Sequence, residues 1–147
     1  MFYFDTCFLV PLFLPEATSD SVETFIMSIP TGQLATSYWT QVEFASLLGL
    51  RVRMQTLEEA QALQLLKDFE EYLINSYYLI MPAVDDFELA TQLLQNHQTG
   101  LRGGDALHLA ISKNRHAECL YTLDNGLIQA ASLLDIPAEL GIQIIKG

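Results

Sequence analysis

The apolar residues of this chain fall into short runs that do not alternate with polar ones. Phe2–Phe4, Leu34–Thr36, Tyr77–Met81, Cys119–Leu123 and Ile142–Ile145 are such runs. A strand with one wet face alternates, whereas a strand covered on both faces reads as continuously apolar. Longer stretches between the runs carry apolar residues at helical spacing, most clearly Leu63, Leu66, Phe69 and Leu73. This order predicts a parallel sheet with helices on both faces. The length, 147 residues, fits a single domain over 1–147 with one sizeable core.

Helix signals fill the gaps. Asp20-Ser-Val-Glu23 reads as a capping box opening a helix toward Ser28, which Pro30-Thr-Gly32 ends. Ser37 is a cap for a helix running to Arg51 or Arg53, and Thr56-Leu-Glu-Glu59 is a second box whose helix reaches about Asn75. Asp85 or Asp86 caps a helix to about Asn96, and Asn96–Gly104 is a loop. Asp105–Asn114 and Gly126–Leu134 complete the helices.

Four acids occupy positions that solubility does not explain. Asp5 closes the first apolar run and Asp124 closes the fourth, while Glu43 and Asp105 lie in apolar helical stretches. An unpaired buried carboxylate costs several kcal/mol, on the order of a small domain's whole net stability. In a parallel sheet ligands gather outside the carboxyl ends of the strands. Asp5 and Asp124 belong at that edge, and helices leading from it bring Glu43 and Asp105 near. A divalent cation is the simplest partner that several carboxylates can share.

The bulk properties narrow the functions. A net charge of −11, with only seven Lys and Arg, argues against strong general nucleic-acid affinity and for a basic protein partner. No apolar run reaches the roughly 18 residues of a membrane span. Met1-Phe-Tyr-Phe-Asp5 carries no basic leader region, and Cys7 and Cys119 form no CxxC pair, so a cytoplasmic, reducing setting is expected. None of the three His stands in a zinc-ligand pattern.

Four segments, in order, carry a resemblance. They are Phe4-Asp-Thr-Cys-Phe-Leu-Val10, Ser37 through Glu43-Phe-Ala-Ser-Leu-Leu48, Leu101-Arg-Gly-Gly-Asp-Ala-Leu-His-Leu-Ala110 and Tyr121-Thr-Leu-Asp-Asn-Gly-Leu127. Together they resemble the PIN-domain nucleases, in particular the VapC-type toxins of toxin–antitoxin pairs. The resemblance implies a three-layer α/β/α fold with a roughly five-stranded parallel sheet and RNA cleavage dependent on Mg2+ or Mn2+. It also implies a homodimer and a small antitoxin that supplies Arg or Lys to the acidic site. Asp5, Glu43, Asp105 and Asp124 match the acidic site, with Asp5, Asp105 and Asp124 as metal ligands and Thr6 and Thr122 as supporting hydroxyls. The sequence neighbourhood adds Arg51, Arg53 and Arg102 as candidate phosphate contacts.

Each residue has a plainer reading. Asp5 and Asp105 also read as helix caps, Asp124-Asn-Gly126 as a turn, and Thr40-x-x-Glu43 as a capping box. The three arginines also read as solvated charges, His108 as a hydrogen-bonded core residue, and Cys7 as a small core residue. The alternative function is a PIN-like RNA- or protein-binding module with weak or no nuclease activity. An aspartyl phosphotransferase of the haloacid-dehalogenase type would need a second Asp where Cys7 stands.

Overall fold

The computed structural model describes residues 1–142. In chain order it contains β1 (Phe2–Phe4), α1 (Thr6–Leu9), a 3-10 turn (Val10–Leu12), α2 (Ser19–Ser28), β2 (Leu34–Ser37), α3 (Tyr38–Arg53), α4 (Glu59–Ser76) and β3 (Tyr78–Ile80). There follow α5 (Val84–Leu94), a 3-10 turn (His97–Thr99), α6 (Gly103–Asn114), β4 (Cys119–Tyr121), α7 (Asn125–Leu133) and β5 (Ala138–Glu139). The five strands form one parallel sheet in the order β3-β2-β1-β4-β5. The fifth strand described, Ala138–Glu139, is one the sequence did not suggest. Of Ile142–Ile145, residues 143–145 lie outside the described residues, and Ala138 pairs with Leu120.

The strands are buried on both faces, which is why their runs do not alternate. Tyr3, Ala35, Ile80 and Leu120 point into a core shared with α5, α6 and α7. Phe4, Cys119 and Tyr121 point into a second core shared with α1, α2, α3 and α4. The result is a three-layer α/β/α fold. Aromatic rings fill the second core: Phe44 stacks on Phe69 with centroids 4.0 Å apart, and Phe4 stacks on Tyr121 at 5.4 Å. Leu73 and Phe69 of α4 are buried there, whereas Leu63 is 65% exposed and belongs to the outer face.

Several helix starts differ from their sequence signals, because other hydroxyl partners win. α2 begins one residue before Asp20 and has no side-chain cap, since the hydroxyl of its N-cap residue Thr18 donates to Glu16 Oε1 at 2.8 Å. Ser37 does precede α3, but its hydroxyl meets the Tyr3 phenol at 2.8 Å rather than capping. α3 starts at Tyr38, so no box forms between Thr40 and Glu43, and Thr40 meets the Thr36 hydroxyl instead. The box of α4 sits two residues later than expected, at Glu58 and Gln61, while Thr56 bonds the Arg51 carbonyl. α6 starts at Gly103, which puts Asp105 in the first turn rather than at the cap.

Candidate active site

Asp5, Glu43, Asp105 and Asp124 line one cavity of about 230 Å³, together with Thr6, Cys7 and His108. The fold explains the convergence. Asp5 directly follows β1, and Asp124 follows β4 by three residues, at the carboxyl edge of the sheet. α3 starts where β2 ends and carries Glu43 in its second turn, and the first turn of α6 brings Asp105. Two of the acids are also caps: Asp5 accepts the Phe8 N–H at 3.0 Å, and Asp124 accepts the Gly126 N–H at 2.8 Å. A cap and a ligand are compatible, because one carboxylate has lone pairs for both.

The carboxylates differ in their surroundings. Asp5 is 3% exposed, and burial holds its pKa above the ordinary value, with His108 first and then Thr122, Cys7 and the Phe8 N–H opposing. Asp105 is also raised, by burial first and by the charges of Asp124 and Glu43, with His108 and Arg102 opposing. Burial pushes Glu43 upward too, but the hydrogen bond from His108, its charge interaction and the Thr6 hydroxyl outweigh this and hold Glu43 below the ordinary value. Thr6 donates to Glu43 Oε1 at 2.7 Å, and His108 Nε2 bonds the same oxygen. Thr122 is fully buried, accepts the Asp124 N–H at 3.1 Å and touches Cys7 Sγ at 3.1 Å.

Arg102 reaches the site. It lines an adjoining cavity of about 320 Å³ with Asp105 and Asp124. Arg51 and Arg53 do not: they occupy the last turn of α3, more than two turns beyond Glu43, and line neither cavity. Cys7 is not a core residue. It is exposed, lines the cavity, and its thiol donates to Asp5 Oδ1 at 3.2 Å. The sequence reading also missed the bond from His108 to Glu43. The only local signal for it was the placement of His108 one turn after Asp105.

The donor chemistry fits a hard divalent ion: carboxylate and hydroxyl oxygens facing one small cavity, with mutual repulsion that a cation relieves. Among the described residues, however, no three of these side chains stand close enough to enclose an ion as they are. Asp5 and Glu43 are each held by donors of the protein. Asp105 and the second oxygen of Asp124 take no such bond among the described residues and are the ones free to turn inward. A larger cavity, about 660 Å³, lies elsewhere, between the first 3-10 turn, α2 and α4, and is mainly apolar. It contains no acid of the cluster, so size alone does not mark the site.

The fold and this cavity define a parallel α/β/α domain with a carboxylate-lined site at the sheet edge. The family model described as PIN domain matches residues 2–133, and the chain belongs to that family. No curated protein matches it. Among solved structures it is similar to VapC20 of Mycobacterium tuberculosis, described as a sarcin-ricin loop cleaving toxin. That match has 19% identity and a TM-score of 0.72, covering 92% of this chain and 96% of that one. It is similar to FitAcB from Neisseria gonorrhoeae at 16% identity and TM-score 0.76, covering 96% and 98%. A toxin-antitoxin complex from Klebsiella pneumoniae matches at 19% identity and TM-score 0.66, covering 98% and 100%. At these identities the likeness is one of fold. No helix among the described residues is long and apolar enough to cross a membrane.

Proposed function

We propose that this chain is a Mg2+- or Mn2+-dependent endoribonuclease, the cytoplasmic toxin of a type II toxin–antitoxin pair. One observation carries the reading: in a chain of the PIN family, four acids from four separate segments line a single cavity at the carboxyl edge of the sheet. Asp5, Asp105 and Asp124 would hold the ion, and Glu43 would act as an acceptor beside it. A divalent ion there lowers the pKa of water and neutralises charge developing on a phosphodiester. Thr6 and Thr122 orient the acids, and Arg102 at the rim binds phosphate. The neighbours described as toxin–antitoxin complexes support a small antitoxin partner, and an Arg or Lys laid against Asp5, Glu43 and Asp105 would bar the ion and RNA. A homodimer is part of the same reading.

The test uses purified protein and a mixed RNA pool. Cleavage should require Mg2+ or Mn2+, stop with chelator, and be suppressed by the product of the adjacent gene on co-expression. No metal-dependent cleavage, or equal cleavage by Asp5→Ala, would favour the binding-module reading. The net charge of −11 is the observation on that side.

A further inference from the structure

Glu43 is the one acid of the cavity tied to the interior by a chain of buried groups. His108 is 1% exposed and Tyr3 is fully buried. The His108 Nε2 bonds Glu43 Oε1, and its Nδ1 meets the Tyr3 phenol at 2.7 Å. That phenol meets the Ser37 hydroxyl at 2.8 Å. The chain thus joins α3, α6, β1 and the end of β2. Thr6, at the start of α1, donates to the same Glu43 oxygen at 2.7 Å. A carboxylate can only accept, so Nε2 carries a proton toward it. Glu43 Oε1 therefore holds two donors.

The other oxygen, Oε2, has a different setting. A Cβ placed on Gly104 would stand 3.0 Å from it and 3.4 Å from Trp39 Nε1. Trp39 Nε1 is a buried donor with no acceptor among the described residues. Such donors are rare in folded proteins and call for an explanation. Here the orphan N–H and the one Glu43 oxygen that takes no hydrogen bond among the described residues border the same space at Gly104.

We propose that His108 is a positioning residue, which with Thr6 occupies one oxygen of Glu43 and keeps Oε2 as the single acceptor that Glu43 brings to the site. A glutamate has three rotatable bonds and, released from this grip, swings toward solvent or onto the Trp39 N–H. His108 touches neither ion nor RNA in this role. The inference rests on the reading of the cavity as a metal-dependent nuclease site.

The experiment compares His108→Phe, which keeps a ring and removes the donor, with His108→Gln, which restores an N–H near the Nε2 position. Three quantities are read: the dissociation constant for Mn2+ alone, the rate of RNA cleavage, and the emission of Trp39, the only tryptophan in the chain. Loss of such a supporting bond costs roughly 10- to 100-fold in metal affinity or activity. His108→Phe should show that loss and a shifted Trp39 emission before metal is added, and His108→Gln should recover most of both. Wild-type values in His108→Phe, or equal losses in both variants, would overturn the proposal. If His108→Phe does not fold, the 15N imidazole spectrum of the wild type decides. Protonated Nε2 is expected, and protonation at Nδ1 alone overturns it. An inactive wild type would sink the nuclease reading, while Mn2+ affinity, Trp39 emission and the imidazole spectrum would still judge His108.

Discussion

Two carboxylates of this chain are buried near helix starts and have opposite surroundings. Asp86, in the first turn of α5, is fully buried and takes both guanidinium nitrogens of Arg115, at 3.1 and 2.9 Å. Asn114 donates to it at 2.8 Å, and the Ala83 N–H does so at 2.8 Å. Its charge is matched and its lone pairs are used. Asp5 is buried to nearly the same degree, yet its donors are one backbone N–H and a thiol, and the titratable groups around it in the cavity are three more acids, Cys7 and His108, whose Nε2 is bonded to Glu43. The first arrangement closes the α5–α6 interface. The second gathers negative charge with no Arg or Lys bonded to it among the described residues, and the proposed cation site rests on that difference.

The largest expected effect separates the two on activity. Asp5→Ala and Asp105→Ala should each lower metal-dependent RNA cleavage by about 1,000-fold or more, roughly 4 kcal/mol of barrier. Asp124→Asn should lose less, because an amide oxygen still accepts or ligates. Asp86→Asn should leave the rate per folded molecule near that of the wild type. Single-turnover assays on proteins checked for folding measure this, and an inactive, folded Asp86→Asn would erase the distinction.

On stability the order inverts. Asp86→Ala strands the Arg115 guanidinium, and breaking such a buried pair costs about 3 to 5 kcal/mol. Arg115 is 24% exposed on its side chain, so water recovers part of that and the lower end is expected. Denaturant melts measure it. Asp5→Ala has no cation to strand, and its cost is limited to the lost cap of α1, about 1 kcal/mol.

Mg2+ or Mn2+ should raise the melting temperature of the wild type, since an ion at 100 times its dissociation constant adds about 2.7 kcal/mol. The same ion should not stabilise Asp5→Ala comparably, and it should stabilise Asp86→Asn fully. Equal shifts in all three proteins would locate the ion away from the cavity.

The contrast also shows what the sequence could and could not reveal. Burial on both faces writes itself into unalternating runs such as Phe2–Phe4 and Cys119–Tyr121, so the parallel sheet was legible, and with it the edge that collects Asp5 and Asp124. The Asp86–Arg115 pair was not, because 29 residues separate its partners. Nor was the bond between Glu43 and His108, 65 residues apart, or that between Tyr3 and His108, 105 apart. Hydroxyl signals failed for a related reason. Ser37, Thr40 and Thr56 are good local caps by type, but each found a tertiary or loop partner in the fold. The two-residue β5 was too short to leave a pattern.

The smallest effect tests the gathered negative charge directly, in metal-free protein. Asp105 is half-buried and its carboxyl is raised, so folding favours its protonated form. A group raised in the folded state stabilises fully below its unfolded pKa, and that contribution is lost as pH rises through the folded pKa. At neutral pH the ionised Asp105 therefore opposes folding, and Asp105→Asn should be neutral to slightly more stable than the wild type. Partial exposure screens the effect, so the gain should be small. It should vanish as pH falls into the carboxyl range, where the wild type is protonated and equivalent. With Mn2+ present the sign should reverse, because the ion then prefers the carboxylate. Melting curves of both proteins across pH, with chelator and with Mn2+, give the four arms. A metal-free Asp105→Asn that is clearly less stable at neutral pH would mean that Asp105 already has a structural partner, as Asp86 does.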